Sequence, residues 1–354
     1  MKALKPIKIN NFKLKNRISV ASMCQYSANN GNPTKWHYAH LQKLAQSGAG
    51  LLMLESTAIN KQGRISIKDL TILNKKNENS LKKLISYIQS VSDIAIGIQI
   101  SHSGRKGSAE IPWVRSNKSL SKKNGGWTTC APSAIKREKS WPKPAALNLK
   151  NIEQIIIAFK NAARRSKRLN LDCLELHMAH GYLLHEFFSP ISNKRKDLYG
   201  GSLENRCRLL LQISKEIRKI WPKNKLLGAR VNGNDWVKNG STIKDCVYLV
   251  KKLKKLKFDY VCVSSGGIVP KTNLIFKPGY QVNLAKIIKK QTGMVTRTTG
   301  MIEDLKHANK ILDKNSADLI NFGRKFINSP TWLIKDTIYL KKKISIPNQY
   351  KRCF

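Results

Sequence analysis

Acidic residues are scarce in this 354-residue chain: 21 Asp and Glu stand against 66 Lys and Arg, a formal net charge of +45. No Cys-x-x-Cys pair occurs among the seven cysteines (Cys24, Cys130, Cys173, Cys207, Cys246, Cys262 and Cys353), so neither a zinc ribbon nor an iron–sulfur cluster is signalled. The odd count points to reduced thiols and a cytoplasmic location. The opening MKALKPIKIN has no apolar stretch, and no signal peptide is expected. No apolar run approaches the ~20 residues that cross a bilayer. No Gly-x-Gly-x-x-Gly joins a strand to a helix, which removes a dinucleotide-binding crevice of the doubly wound type. His-Glu-x-x-His is also missing. There is no internal repeat, low-complexity tract or domain boundary.

The positive charge has three candidate origins: contacts to nucleic-acid phosphates, attraction to acidic membranes, or drift of the whole composition toward Lys, Asn and Ile. The lysines are spread along the chain among many Asn and Ile. They form neither a tail nor a stripe interleaved with aromatics. Drift is the favoured reading, and neither a specific nucleic acid nor a membrane is expected as a partner. Charge of this size still concentrates anionic small molecules near the surface.

What the chain does have is rhythm, and at 41% hydrophobic residues it can bury a sizeable core. Short β-branched runs at 17–20, 51–55, 95–100, 171–176, 226–230, 260–263, 294–298 and 319–322 read as strands. Longer amphipathic segments fall between them, at 79–92, 151–169, 203–220, 243–255, 281–291 and 302–312. Eight strand–helix units predict a (β/α)8 TIM barrel spanning 1–354 as a single domain. One connection breaks the pattern. Residues 104–148 follow the third strand with no element of their own and carry Trp113, Trp127 and Trp141, as a functional loop or lid would.

In such a barrel the C-terminal strand ends form the site. They carry Ala21-Ser22-Met23-Cys24-Gln25-Tyr26, Glu55-Ser56-Thr57, Gln99 with Ser101-His102-Ser103-Gly104-Arg105, His177-x-x-His180-Gly181-Tyr182, Arg230, Ser264-Ser265-Gly266-Gly267, Thr299-Gly300 and Gly323-Arg324. The glycines after strands seven and eight, with Arg324, read as a phosphate site. His177 and His180 have spacing that permits a metal, but no third ligand set is evident and none is expected. A structural role would account for one of them. As a pair beside Tyr182 they suit an oxygen that gains negative charge. A flavin mononucleotide needs a phosphate site and ring donors, which Arg230 and Gln99 can supply, with Cys24 approaching from the first strand. The alternative for Cys24 is an inert buried thiol.

These residues carry a resemblance over nearly the whole chain. LKNRISVASMCQYSA, the His102–Lys106 segment, APSAI at 131–135, His177–Leu183, SNKRKDLYGGSLENR at 192–206, PGYQV at 278–282, TGMI at 299–302 and Gly323-Arg324 together resemble the old yellow enzyme family of NADH:flavin oxidoreductases, in its bacterial NADPH dehydrogenase and xenobiotic reductase branch. The resemblance implies an FMN-dependent ene reductase. NADPH or NADH would supply hydride, and the C=C bond of an α,β-unsaturated carbonyl compound would be reduced. It implies that Ala21, Ser22, Met23, Cys24, Ser56, Gln99, Arg230, Gly300, Gly323 and Arg324 hold FMN. His177 and His180 would hold the substrate carbonyl, Tyr182 would donate the proton, Tyr26 would line the pocket and Cys24 would tune the flavin. The tail over 345–354 resembles the family's terminal motif, whose arginine, here Arg352, reaches a neighbouring subunit and implies a homo-oligomer.

Two positions depart from the family pattern. Ser22 stands where Pro is usual. Arg297, near the end of the seventh strand where small residues are usual, is expected to crowd or recharge the phosphate end. Three other readings compete. A dienoyl-CoA reductase shares this barrel but carries added domains and a cysteine cluster. A basic RNA-modifying barrel of the dihydrouridine-synthase type suits the charge, but not His177–Tyr182 or GGSLENR. An eroded flavin binder is the third, against which stand His177, His180, Tyr182, Arg230 and Arg324.

Overall fold

A computed structural model describes residues 1–353. Phe354, the last residue of the expected 345–354 tail, lies outside the described residues. An antiparallel hairpin, β1 (Ile7–Ile9) and β2 (Phe12–Leu14), precedes the barrel. The chain then runs β3 (Ile18–Val20), α1 (Lys35–Ala45), β4 (Leu51–Ala58), α2 (Lys75–Val91) and β5 (Ala95–Ser101). After a long loop carrying β6 (Cys130–Ala131) and β7 (Ala145–Ala146) come α3 (Leu149–Arg168), β8 (Cys173–Met178), α4 (Leu183–Phe188), α5 (Leu203–Ile220) and β9 (Leu226–Asn232). The rest is α6 (Ile243–Lys255), β10 (Tyr260–Ser264), α7 (Val282–Thr292), β11 (Val295–Thr298), α8 (Leu305–Asp313), β12 (Leu319–Phe322), α9 (Arg324–Asn328) and α10 (Trp332–Tyr339).

Strands β3, β4, β5, β8, β9, β10, β11 and β12 close into a parallel barrel in that order. This is the (β/α)8 fold that the alternation predicts. The eight predicted strands all occur, several running one to three residues further than the apolar runs suggest. Every residue of β4 and β8 is buried, as strands must be when helices cover one face and side chains fill the other. Helix ends follow local chemistry. Ser202 accepts from Asn205 N–H to start α5, which buries Cys207, Leu210, Ser214 and Ile217 along one stripe.

The hairpin plugs the bottom of the barrel. Ile9 and Leu14 pack on Leu51, Cys173, Leu226, Tyr260 and Leu319, the first residues of five strands. Above them the lumen turns polar. Arg297 lies here, only 1% exposed, ion-paired with Glu175 and stacked over the Tyr260 ring at 5.0 Å. The expectation that Arg297 crowds the phosphate end is therefore wrong. In register it faces Cys262 and Leu319, the first residue of β12, which places it in the lower half of the lumen.

The segment 104–148 is not structureless. Two 3₁₀ turns (Gly104–Lys106 and Lys122–Asn124) and the β6–β7 pair give it form. Trp141 is buried, and Trp127 donates from Nε1 to the Gln62 carbonyl under the Arg64 guanidinium. Trp113 stays two-thirds exposed but meets Tyr26 edge-on at 6.0 Å. The loop thus reaches the catalytic end of β3.

Candidate active site

The C-terminal strand ends surround a cavity of about 670 Å³, within the range of small-molecule sites. Seven of the ten expected cofactor residues line it: Ala21, Ser22, Met23, Arg230, Gly300, Gly323 and Arg324. Cys24, Ser56 and Gln99 are not in its lining. Ser56 and Gln99 are register neighbours on β4 and β5, and Gln99 is reached through Ser22, whose hydroxyl donates to Gln99 Oε1 at 3.1 Å. The two departures from the family pattern meet here. Ser22 touches Gln99, Gln99 donates to Glu175, and Glu175 pairs with Arg297.

His180 is part of the lining; His177, at the end of β8, stands opposite Arg230 across the β8–β9 ladder. The His177 ring meets His180 at 5.1 Å and Tyr182 at 4.7 Å, both edge-on. The chain turns sharply to achieve this. His180 (φ 61°) and Gly181 (φ 72°) are left-handed, and a Cβ on Gly181 would stand 2.2 Å from the Gly267 carbonyl oxygen. His177 Nδ1 accepts from the Ala179 N–H at 3.2 Å, which leaves Nε2 as its donor. His180 Nε2 lies 2.6 Å from Ser264 Oγ.

Burial, reinforced by the nearby Arg230 charge, holds both imidazoles well below their usual range, so they are neutral. Burial pushes the Tyr182 phenol well above its ordinary value, with Cys24 and Tyr26 adding to it, so Tyr182 keeps its proton. The Cys24 thiol is likewise pushed up, chiefly by burial and then by Asp69. A thiol in this state is no nucleophile.

Lys106 closes the His102–Lys106 segment, where sequence alone gives no sign of its contacts. Its Nζ donates to the His180 carbonyl at 2.7 Å and the Gly267 carbonyl at 3.3 Å, and it lies 5.1 Å from the Tyr182 ring. Gln281, Tyr280 and Asn321 also line the cavity without having been singled out. Gln281 lies within the quoted PGYQV segment, while no residue-level pattern marks Asn321. Arg352 is not brought to this cavity. It lies exposed in the turn Asn348–Cys353, and the preceding residues 345–349 face Lys15, Gln46 and Asp93 at the opposite end of the barrel.

The lining fits FMN. Arg324 and Lys325 face the space and suit a phosphate, and a third cation, Arg230, faces it as well. Gly300 adopts φ 110°, and a Cβ there would come within 3.0 Å of the Tyr280 ring. Among the described residues, Arg230 Nε, Ser265 Oγ and Gln281 Oε1 are buried with no partner. Buried polar atoms are almost always partnered, so these three mark a wall shaped for a polar ligand.

Comparison with known proteins agrees. The model of the NADH:flavin oxidoreductase / NADH oxidase family matches residues 2–342. An NADPH dehydrogenase of Clostridium acetobutylicum is 36% identical, with 100% of each chain aligned. Among solved structures, a 2-naphthoyl-CoA reductase in complex with 2-naphthoyl-CoA superposes with a TM-score of 0.87 at 25% identity. The match covers 96% of this chain but only 52% of that one. An old yellow enzyme homologue from Zymomonas mobilis gives a TM-score of 0.80 at 23% identity, over 98% of this chain and 94% of its own.

Proposed function

The chain belongs to the NADH:flavin oxidoreductase / NADH oxidase family, the old yellow enzyme family in its bacterial branch, and is an FMN-dependent NAD(P)H oxidoreductase; on that premise we propose that it reduces the C=C bond of α,β-unsaturated carbonyl compounds. One observation carries the reading: His177 packs edge-on against both His180 and Tyr182 beside a cavity lined by Arg230, Arg324 and Lys325.

Bound FMN would supply the hydride chemistry between a nicotinamide and the acceptor. The residues of this chain do the rest. Arg324 and Lys325 would hold the phosphate, Gly300 and Gly323 would let it approach the backbone, and Arg230 and Gln99 would meet the ring. His177 donates from Nε2 to the substrate carbonyl oxygen, and His180 adds a second contact. Charge that develops on that oxygen strengthens these hydrogen bonds, so they favour the transition state over the ground state. Neutral imidazoles serve this purpose by donating without giving up a proton. Tyr182 then delivers its proton to the α-carbon, and solvent restores it. Tyr26, with Trp113 edge-on against it, would border the acceptor.

No helix among the described residues is long and apolar enough to cross a membrane. The unpaired thiols support a cytoplasmic setting. Since Arg352 lies far from its own cavity, a role for it needs a second copy of the chain, which favours a homo-oligomer.

The test is the visible spectrum of the purified holoprotein. NADPH should bleach the flavin bands under anaerobic conditions, and 2-cyclohexenone should restore them. Bleaching without restoration by a panel of enones, nitroalkenes aside, would remove the C=C substrate class. Retention of tRNA that falls with salt, together with failure to turn over enones, would favour an RNA-modifying barrel.

A further inference from the structure

Gln99 joins the cavity wall to the barrel lumen. Its Oε1 accepts from Ser22 Oγ (3.1 Å) and its Nε2 donates to Glu175 Oε1 (2.7 Å). The other Glu175 oxygen accepts from the Tyr260 hydroxyl (2.8 Å) and from Arg297 Nη2. Glu175, Tyr260 and Arg297 are each at most 1% exposed. Among the described residues, Arg297 is the sole cation within ion-pair reach of Glu175. An ionised carboxylate only accepts. Gln99 must therefore turn its NH₂ toward Glu175 and its carbonyl oxygen toward Ser22, which is the cavity side.

We propose that Arg297 is a positioning residue for the cofactor: by holding one oxygen of Glu175, it leaves the other to accept from Gln99 and so fixes the Gln99 amide with its oxygen toward the cavity, where it takes an N–H from the pyrimidine edge of FMN. The geometry gives each group one job. Tyr260 and Arg297 occupy one Glu175 oxygen, so the other is left for Gln99. Ser22 lies on the opposite side of the amide and donates to the same oxygen that faces the ligand. Without Arg297, Glu175 loses the partner that holds it in this lumen, and the Gln99 amide loses its reason to hold one orientation. The inference rests on the placement of Gln99 against FMN, which Gln99→Ala tests by itself.

The experiment measures FMN binding to the apoprotein by quenching of flavin fluorescence, with the bound flavin's visible spectrum and the thermal midpoint recorded beside it. Gln99→Ala should raise the FMN Kd about tenfold, the equivalent of roughly 1.4 kcal/mol and one hydrogen bond. Arg297→Met should raise it by a similar factor and alter the spectrum, and the double variant should be no worse than Gln99→Ala alone. Arg297→Lys keeps the charge and should bind FMN nearly as the wild type does. The neutral pair Arg297→Met with Glu175→Gln guards against a variant that fails to fold. Its thermal midpoint should recover while the raised Kd persists, because a Gln at 175 accepts either orientation of Gln99. A wild-type Kd and spectrum in Arg297→Met, or in the neutral pair, would overturn the proposal and leave Arg297 a stabilising residue only. So would strictly multiplicative effects of Arg297→Met and Gln99→Ala. A wild-type Kd in Gln99→Ala would overturn the placement of Gln99 itself, and the proposal with it.

Discussion

Replacing Tyr182 with Phe isolates one proton. The ring is held by its edge-on contact with His177 at 4.7 Å and by the Lys106 ammonium at 5.1 Å. Among the described residues no hydrogen bond of the Tyr182 hydroxyl to the chain occurs, so the substitution deletes no internal partner. The change in folding stability should stay within about 0.5 kcal/mol, and FMN binding should be unaltered. The hydroxyl's pKa is pushed well above its ordinary value, so the wild type carries the proton across the whole neutral range. General-acid catalysis of this kind is worth roughly 10²–10⁴ in rate, or about 3–5 kcal/mol of barrier. Stopped-flow absorbance separates the two halves of the cycle. Bleaching of the flavin by NADPH should proceed at close to the wild-type rate in Tyr182→Phe, because no group of the acceptor takes part. Recovery of the flavin bands on mixing with 2-cyclohexenone should slow by at least a hundredfold. If a folded, FMN-loaded variant recovers at the wild-type rate, the proton comes from elsewhere. If both halves slow together, Tyr182 acts in placing the nicotinamide and the acceptor alike, and its role as acid fails.

Two further outcomes follow from the packing around the site. Burial pushes Lys106 down to about 7 from an ordinary 10.5, so the unfolded chain binds more protons there between those pH values and this residue makes stability rise with pH across that window. The thermal midpoint of the wild type minus that of Lys106→Met should thus grow from pH 7 to pH 10, and a gap that stays constant would mean the ammonium is not penalised by burial. Gly228→Ala places a methyl 2.2 Å from the Tyr260 ring in the lumen and should lower stability by about 1–3 kcal/mol; a urea midpoint equal to that of the wild type would show that the ring can move aside.

The barrel was legible because its strands announce themselves twice, as apolar runs and as chemistry at their ends. His177, His180, Tyr182 and Arg230 fall where the strand count places them. Other parts left no such trace. The hairpin strands are three residues long and those of the long loop two, too short for any alternation to stand out. Helix α1, KWHYAHLQKLA, mixes aromatic and charged residues and buries only His37, Leu41, Leu44 and Ala45. Arg297 misled for a different reason. Closeness to the end of a strand in sequence does not fix height in a barrel, because the strands are staggered around the axis. Only the register of β11 with β10 and β12 puts Arg297 level with the start of a neighbouring strand. Lys106 was missed because its role is to tie carbonyls together, and carbonyls carry no sequence signal.

That tie sets the unit in which the pocket can be exchanged. A single Nζ, from the loop after β5, grips a carbonyl in the loop after β8 and another in the loop after β10. Across the same joint, Gly181 and Gly267 bring the two backbones into contact, with no room for a Cβ on either. Three loops remote in sequence are thereby clamped as one mechanical part. Transplanting any one of them from a relative to alter substrate preference would import a backbone path that the other two do not accommodate. A chimera built from all three together, with Lys106 included, keeps the clamp closed.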